Sequence, residues 1–156
     1  MSVEDPLLRL LSRFKEEGVK YVLVGGQAVR LNGFLRATED VDVLIEASRE
    51  NGRRVRRAMD FLPASHELDP DWFEAEGVTP ENIRVADELI VDLLFVANGE
   101  TYASVQPFVR EVVVEGVPIR VLNIDGLLRT KTDYREKDVL DRQVLTRIKE
   151  RLRGSE

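Results

Sequence analysis

Asp40 and Asp42 stand two residues apart inside an apolar run, in the stretch EDVDVLIE. On an extended strand, residues two apart point to the same face. Leu44 continues that face, while Val41, Val43 and Ile45 take the other, which must be the core. Strands disfavour aspartate, so two on one face need either a solvated surface or a task. A third acid, Asp92, is the lone charge in LIVDLLFV. A carboxylate in that setting is costly to bury unless it is paired or binds a metal. If its strand lies beside the first, three carboxylates converge. At ~5 Å and an effective dielectric of ~20, each pair repels by ~3 kcal/mol. Such a cluster attracts a divalent cation. The chain has no cysteine and one histidine, and oxygen-only ligands favour Mg²⁺ or Mn²⁺ over Zn²⁺.

Gly25 and Gly26 follow the apolar run YVLV and precede QAVRL. Glycine lets a phosphate approach the backbone, and the start of a helix offers free N–H groups. The doublet fits neither the dinucleotide fingerprint nor the Walker A pattern. Its weight comes from the aspartate pair that follows it.

The elements that must position these residues are legible from periodicity. PLLRLLSRFKEEG has helical spacing and stops at Gly18. VKYVLVGG reads as a short buried strand, QAVRLNGF as a short helix and EDVDVLIE as a strand. NGRRVRRAMDFL is a helix. IRVADELIVDLLFVA is two strands around a turn near Asp87 and Glu88, and VREVVVEGVPIRVLN is a hairpin turning near Gly116. IDGLLRTKTDY and EKDVLDRQVLTRIKERLR are helical, with Leu140, Val144, Leu145, Ile148 and Leu152 on one stripe. Helices and strands alternate early and strands cluster later. The expectation is an α/β (α+β) domain with a single mixed β-sheet and helices packed on it.

A chain of 156 residues suits one domain over 1–156 rather than two. With 43% hydrophobic and 33% charged residues, it reads as soluble and globular. No apolar run approaches the ~20 residues of a membrane helix. MSVEDPLLRL lacks the basic start of a signal peptide, so the cytoplasm is the expected compartment. The absence of cysteine excludes disulfides, thiolate metal sites and cysteine nucleophiles.

In their order, these motifs resemble the polymerase-beta-like nucleotidyltransferase superfamily. Within it, GGQAVRLNGFLRATEDVDVLI is similar to the minimal nucleotidyltransferases related to AbiEii-type toxins. The matching positions are Gly25, Gly26, Ala28, Gly33, Arg36, Thr38, Asp40 and Asp42. LLRTKTDYREKDVLDRQVL is similar to the C-terminal helical motif of those proteins, with Lys131, Arg135, Lys137, Asp138 and Asp141 at its polar positions. Many members of the superfamily carry serine after the glycine pair, where this chain has Gln27. The resemblance implies a nucleotidyltransferase fold and transfer of a nucleoside monophosphate from an NTP to an acceptor hydroxyl. It implies Asp40, Asp42 and Asp92 as catalytic metal ligands for Mg²⁺ or Mn²⁺. Gly25, Gly26, Gln27, Arg36, Thr38 and Lys131 would meet the nucleotide. RNA or a protein would be the acceptor, and an antitoxin-like partner would accompany a toxin-like role. The alternative is an inactive relative that binds a nucleotide or a protein without chemistry.

Some features have plainer readings beside functional ones. On a continuous helix, Lys131 lies one turn from Leu127 and Leu128, so it meets either a ligand phosphate or an internal acid. Arg49, Arg53, Arg54, Arg56 and Arg57 crowd one helix in a chain of net charge −6. They read as a solvated face or as a phosphate-binding patch that guides an RNA end to the acids. His66 reads as a surface residue, and Trp72 and Phe73 as packing residues or a flap.

Overall fold

The computed structural model describes residues 5–25, 27–28, 40–74, 82–130, 142–143 and 145–151. Helix α1 (Pro6–Glu17) begins where the Asp5 carboxylate accepts the N–H groups of Leu7 and Leu8, and it ends at Gly18 in the left-handed region, φ 68°. The stop is the one that its sequence predicts, and the start is a side-chain cap. Strands β1 (Tyr21–Val24) and β2 (Asp40–Ile45) follow, then helix α2 (Arg49–Ala58). Two short 3₁₀ turns, Pro63–Glu67 and Pro70–Phe73, lead toward hairpin β3 (Asn82–Ala86) and β4 (Ile90–Leu94). A second hairpin, β5 (Val109–Val114) and β6 (Val117–Leu122), turns through Glu115 and Gly116, both with positive φ. Helix α3 (Ile124–Thr130) comes next, and residues 145–151 are helical.

The strands form one six-stranded mixed sheet in the order β3-β4-β2-β1-β6-β5. β2 runs antiparallel to β1 and parallel to β4, and β1 runs parallel to β6. The expected mixed sheet with packed helices is therefore the observed fold. β1 is buried along its whole length, which suits its unbroken apolar run in mid-sheet.

The two faces carry different layers. On one, Val41, Val43 and Ile45 are fully buried as the spacing predicts. This is the side of Tyr21, whose ring lies 5.0 Å from that of Phe14 on α1. α2 lies beside α1 in the same layer: Arg13 of α1 donates to the Arg57 carbonyl at 3.0 Å, and Arg54 donates to the Gly18 carbonyl at 3.1 Å. The other face carries α3 over β6. A Cβ on Gly126 would stand 2.7 Å from Phe108 and 3.0 Å from Leu122, so only glycine permits that approach. Leu44, on this second face, is also fully buried.

One buried polar side chain sets the joint between α2 and the central strands. Asn51, 2% exposed, donates to the carbonyls of Lys20 and Glu46 at 3.1 and 3.0 Å and accepts the Lys20 N–H at 2.8 Å. Those backbone groups flank the start of β1 and the end of β2, where the Glu46 N–H also donates to the Lys20 carbonyl at 3.2 Å. No described helix is long and apolar enough to cross a membrane. Because the buried Asn51 amide serves three backbone groups at this joint, Asn51→Ala should destabilise the fold by about 3 kcal/mol, read from the midpoint of urea unfolding. A cost under ~0.5 kcal/mol would mean that water replaces the amide without penalty.

Candidate active site

The register of the sheet assembles the aspartates. β2 and β4 pair in parallel with Asp42 opposite Asp92, and Asp40 opposite Ile90. Directly paired residues share a face, so Asp40, Asp42 and Asp92 all lie on the face away from α1 and α2. Asp40 and Asp42 are half-buried, whereas Asp92 is 6% exposed.

What meets the buried charge of Asp92 is an arginine that sequence reasoning did not single out. Arg84 stands opposite Asp92 on the edge strand β3. Its Nε donates to Asp92 Oδ1 at 2.9 Å and its Nη2 to Oδ2 at 3.1 Å, a bidentate clamp. The same Nη2 reaches past β4 to donate to Asp40 Oδ2 on β2, at 3.2 Å. The hydrogen bond and charge of Asp92, with Asp40 and Asp42 adding their fields, hold the guanidinium above its ordinary value. It is a permanent cation among three acids. A signal for it was present. The hairpin closes around Glu88, and that symmetry sets the one base of β3 against the one acid of β4.

Asp42 is placed by a different device. Gly25 ends β1 with φ 69°, and a Cβ built there would lie 2.2 Å from Asp42 Oδ2 and 2.9 Å from its Cβ and Cγ. The first glycine of the pair therefore makes room for the carboxylate, in addition to any ligand. Helical backbone starts at Gly25, and Gln27 within it is buried. The structure thus brings Gly25 to Asp42, and Asp40 to Asp92 through Arg84. Gly26, Gly33, Arg36, Thr38, Lys131, Arg135, Lys137, Asp138 and Asp141 lie outside the described residues.

The donor set fits a hard divalent cation in kind, being carboxylate oxygens on adjacent strands. Among the described residues, however, no three acids or histidines gather as a metal cluster would, and Arg84 bridges two of the three carboxylates. The guanidinium stands where opposite charge is needed.

The arginine helix sits elsewhere. α2 belongs to the layer on the opposite face of the sheet, and four of its five arginines have protein partners. Arg49 pairs with Asp71 at 2.8 Å and with Glu74. Arg54 pairs with Glu50 at 2.7 Å and Arg57 with Glu17 at 3.2 Å. Arg56 donates to the His66 carbonyl at 3.1 Å. These contacts tie α2 to α1 and to the segment after it, and they do not lead toward the aspartates. His66 is exposed, as expected, and lies 3.0 Å from Asp60. Phe73 is a packing residue: its ring meets Phe95 at 5.2 Å and it lies against Gly52. Trp72 is exposed.

Neither a protein-family model nor a curated protein sequence matches the chain. Its fold is similar to the crystal structure of a candidate nucleotidyltransferase from Thermotoga maritima. The TM-score is 0.52 and the identity 17%, over 95% of this chain and 88% of that one. The likeness is one of fold, and the fold is that of a nucleotidyltransferase.

Alanine at Gly25 would combine an unfavourable positive φ with a clash against Asp42. Gly25→Ala should cost about 3 kcal/mol, of which ~1–2 kcal/mol is the backbone term. In an Asp42→Gly background, which removes all three clashing atoms, only the backbone term should remain. Equal costs in both backgrounds, measured by denaturant unfolding, would show that the approach of Gly25 to Asp42 constrains nothing.

Proposed function

We propose that the chain is a metal-dependent nucleotidyltransferase, with Asp40, Asp42 and Asp92 as its catalytic carboxylates. The observation that carries this reading is the parallel register that sets Asp42 beside Asp92 on one face, in a fold shared with a candidate nucleotidyltransferase. In the reaction, the acceptor hydroxyl oxygen bonds to the α-phosphorus of an NTP. The bond from that phosphorus to the bridging oxygen breaks, and pyrophosphate leaves. Asp40, Asp42 and Asp92 would hold Mg²⁺ or Mn²⁺, which when bound supplies charge stabilisation to the entering and leaving oxygens. Asp92, the most buried of the three, takes up the proton of the attacking hydroxyl. Gly25 gives the phosphates a close approach to the backbone, and the Gln27 amide can donate to them. Roles for Gly26, Arg36, Thr38 and Lys131 in holding the nucleotide rest on the sequence resemblance. So does the relation to AbiEii-type toxins, with RNA or a protein as acceptor and an antitoxin-like partner. Because α2 lies behind the sheet, an RNA acceptor would reach the acids without its arginines.

One observation favours a second reading. Arg84 already neutralises part of the acidic cluster, as it would in a module that binds a nucleotide and does no chemistry. Incubation with each α-labelled NTP, Mg²⁺ or Mn²⁺, and cellular RNA or protein separates the two. The enzyme reading expects label transferred to an acceptor, and a loss of more than ~100-fold in Asp42→Asn, since even outer-shell partners of a metal ligand are worth ~10–100-fold. NTP binding without transfer to any acceptor would select the binding module.

A further inference from the structure

Arg84 has properties that an ordinary cross-strand ion pair does not require. A pair of that kind links two residues on neighbouring strands. Arg84 links three strands, from the edge strand β3 over β4 to Asp40 on β2. Its partner Asp92 has a side chain only 9% exposed, while its own side chain is 56% exposed. The carboxylate is thus fixed in the sheet and the cation is held from the solvent side. Among the described residues, the hydrogen bonds of the guanidinium all go to these acids. Two oxygens of Asp92 and one of Asp40 are engaged by the guanidinium.

We propose that Arg84 is a built-in counter-cation of the carboxylate cluster, displaced by the divalent metal when the site loads. This rests on the reading of Asp40, Asp42 and Asp92 as metal ligands. Without an ion, the guanidinium prevents the mutual repulsion of the acids and the burial of an unmatched charge at Asp92. A divalent ion offers twice the charge to the same oxygens, and both cations cannot occupy one place. Arg84 then swings outward, which its exposure and its position at the sheet edge allow. Metal binding therefore carries the cost of breaking a bidentate pair, and the site discriminates against weakly bound cations that cannot break it.

The role assigned is a positioning one, so its test reads metal binding and not turnover. Mn²⁺ alone is titrated into the wild type, Arg84→Gln and Asp42→Asn, and bound metal is followed by the loss of the free-ion paramagnetic resonance signal. Arg84→Gln should bind Mn²⁺ about tenfold more tightly than the wild type, the scale of one charge-assisted pair partly exposed to water. Its melting temperature without metal should fall, and Mn²⁺ should restore it. Equal or weaker Mn²⁺ affinity in Arg84→Gln, with binding still lost in Asp42→Asn, overturns the displacement and leaves the enzyme reading standing. No Mn²⁺ binding in either chain overturns both. Should Arg84→Gln not fold, the wild type decides alone: its Arg84 Nε–H resonance should shift and exchange faster with water as Mg²⁺ is added. A resonance unmoved at saturating Mg²⁺ overturns the proposal.

Discussion

A carboxylate buried in the middle of an apolar strand has to be matched by positive charge, and Asp92 sets that condition for this molecule. Its strand is flanked by β2 on one side and β3 on the other. β2 brings two more acids to the same face, and β3 brings the one base. A one-residue slip of β4 against either neighbour would turn Asp92 toward the hydrophobic layer beneath α1 and α2. The charge at Asp92 thus specifies register. A slipped sheet would bury an unpaired ion among Val43, Leu93 and their neighbours, all fully buried in the native arrangement.

The same face also shows how backbone and side chains divide the labour. β1 carries no functional side chain. It lies fully buried between β2 and β6 and delivers Gly25 to the point where Asp42 needs room. α3 covers the β6 half of the face through Gly126, whose missing side chain lets the helix settle against Phe108 and Leu122. Glycine serves two distinct ends here, one clearing a carboxylate and one clearing a packing interface. Asn51 works on the opposite side, fixing α2 to the outer ends of β1 and β2. Since β2 holds two of the acids, that amide indirectly fixes their position.

What the sequence made legible was mostly local. Period-two alternation marked β2 and the lone charge marked β4, and three acids share a face because the two strands are neighbours in the sheet. Helical spacing and Gly18 marked α1 and its end, while the Asp5 cap became visible only in the structure. Non-local partners were harder to see. The cluster of arginines on α2 read as a solvated face or a phosphate patch, because charge counting along one helix cannot show that Glu17, Glu50, Asp71 and Glu74 stand around it. Arg84 escaped notice for the converse reason. A single arginine in an exposed strand is legible only through the hairpin's symmetry about Glu88, which sets it opposite Asp92, and its reach to Asp40 depends on a strand one step further away.

The placement of Arg84 on an edge strand, and not on β1 or β2, follows from what a removable cation requires. A guanidinium rooted in a central strand would be enclosed by layers on both faces, and withdrawing it would leave a cavity. At the edge, its side chain is 56% exposed. Arginine also suits the position better than lysine would. Its planar fork reaches both oxygens of Asp92 and still spares a donor for Asp40, which a point charge cannot do with the same geometry. The acids are thus held by the interior of the sheet and their counter-charge by its rim, and that difference in rigidity lets one charge remain while the other moves.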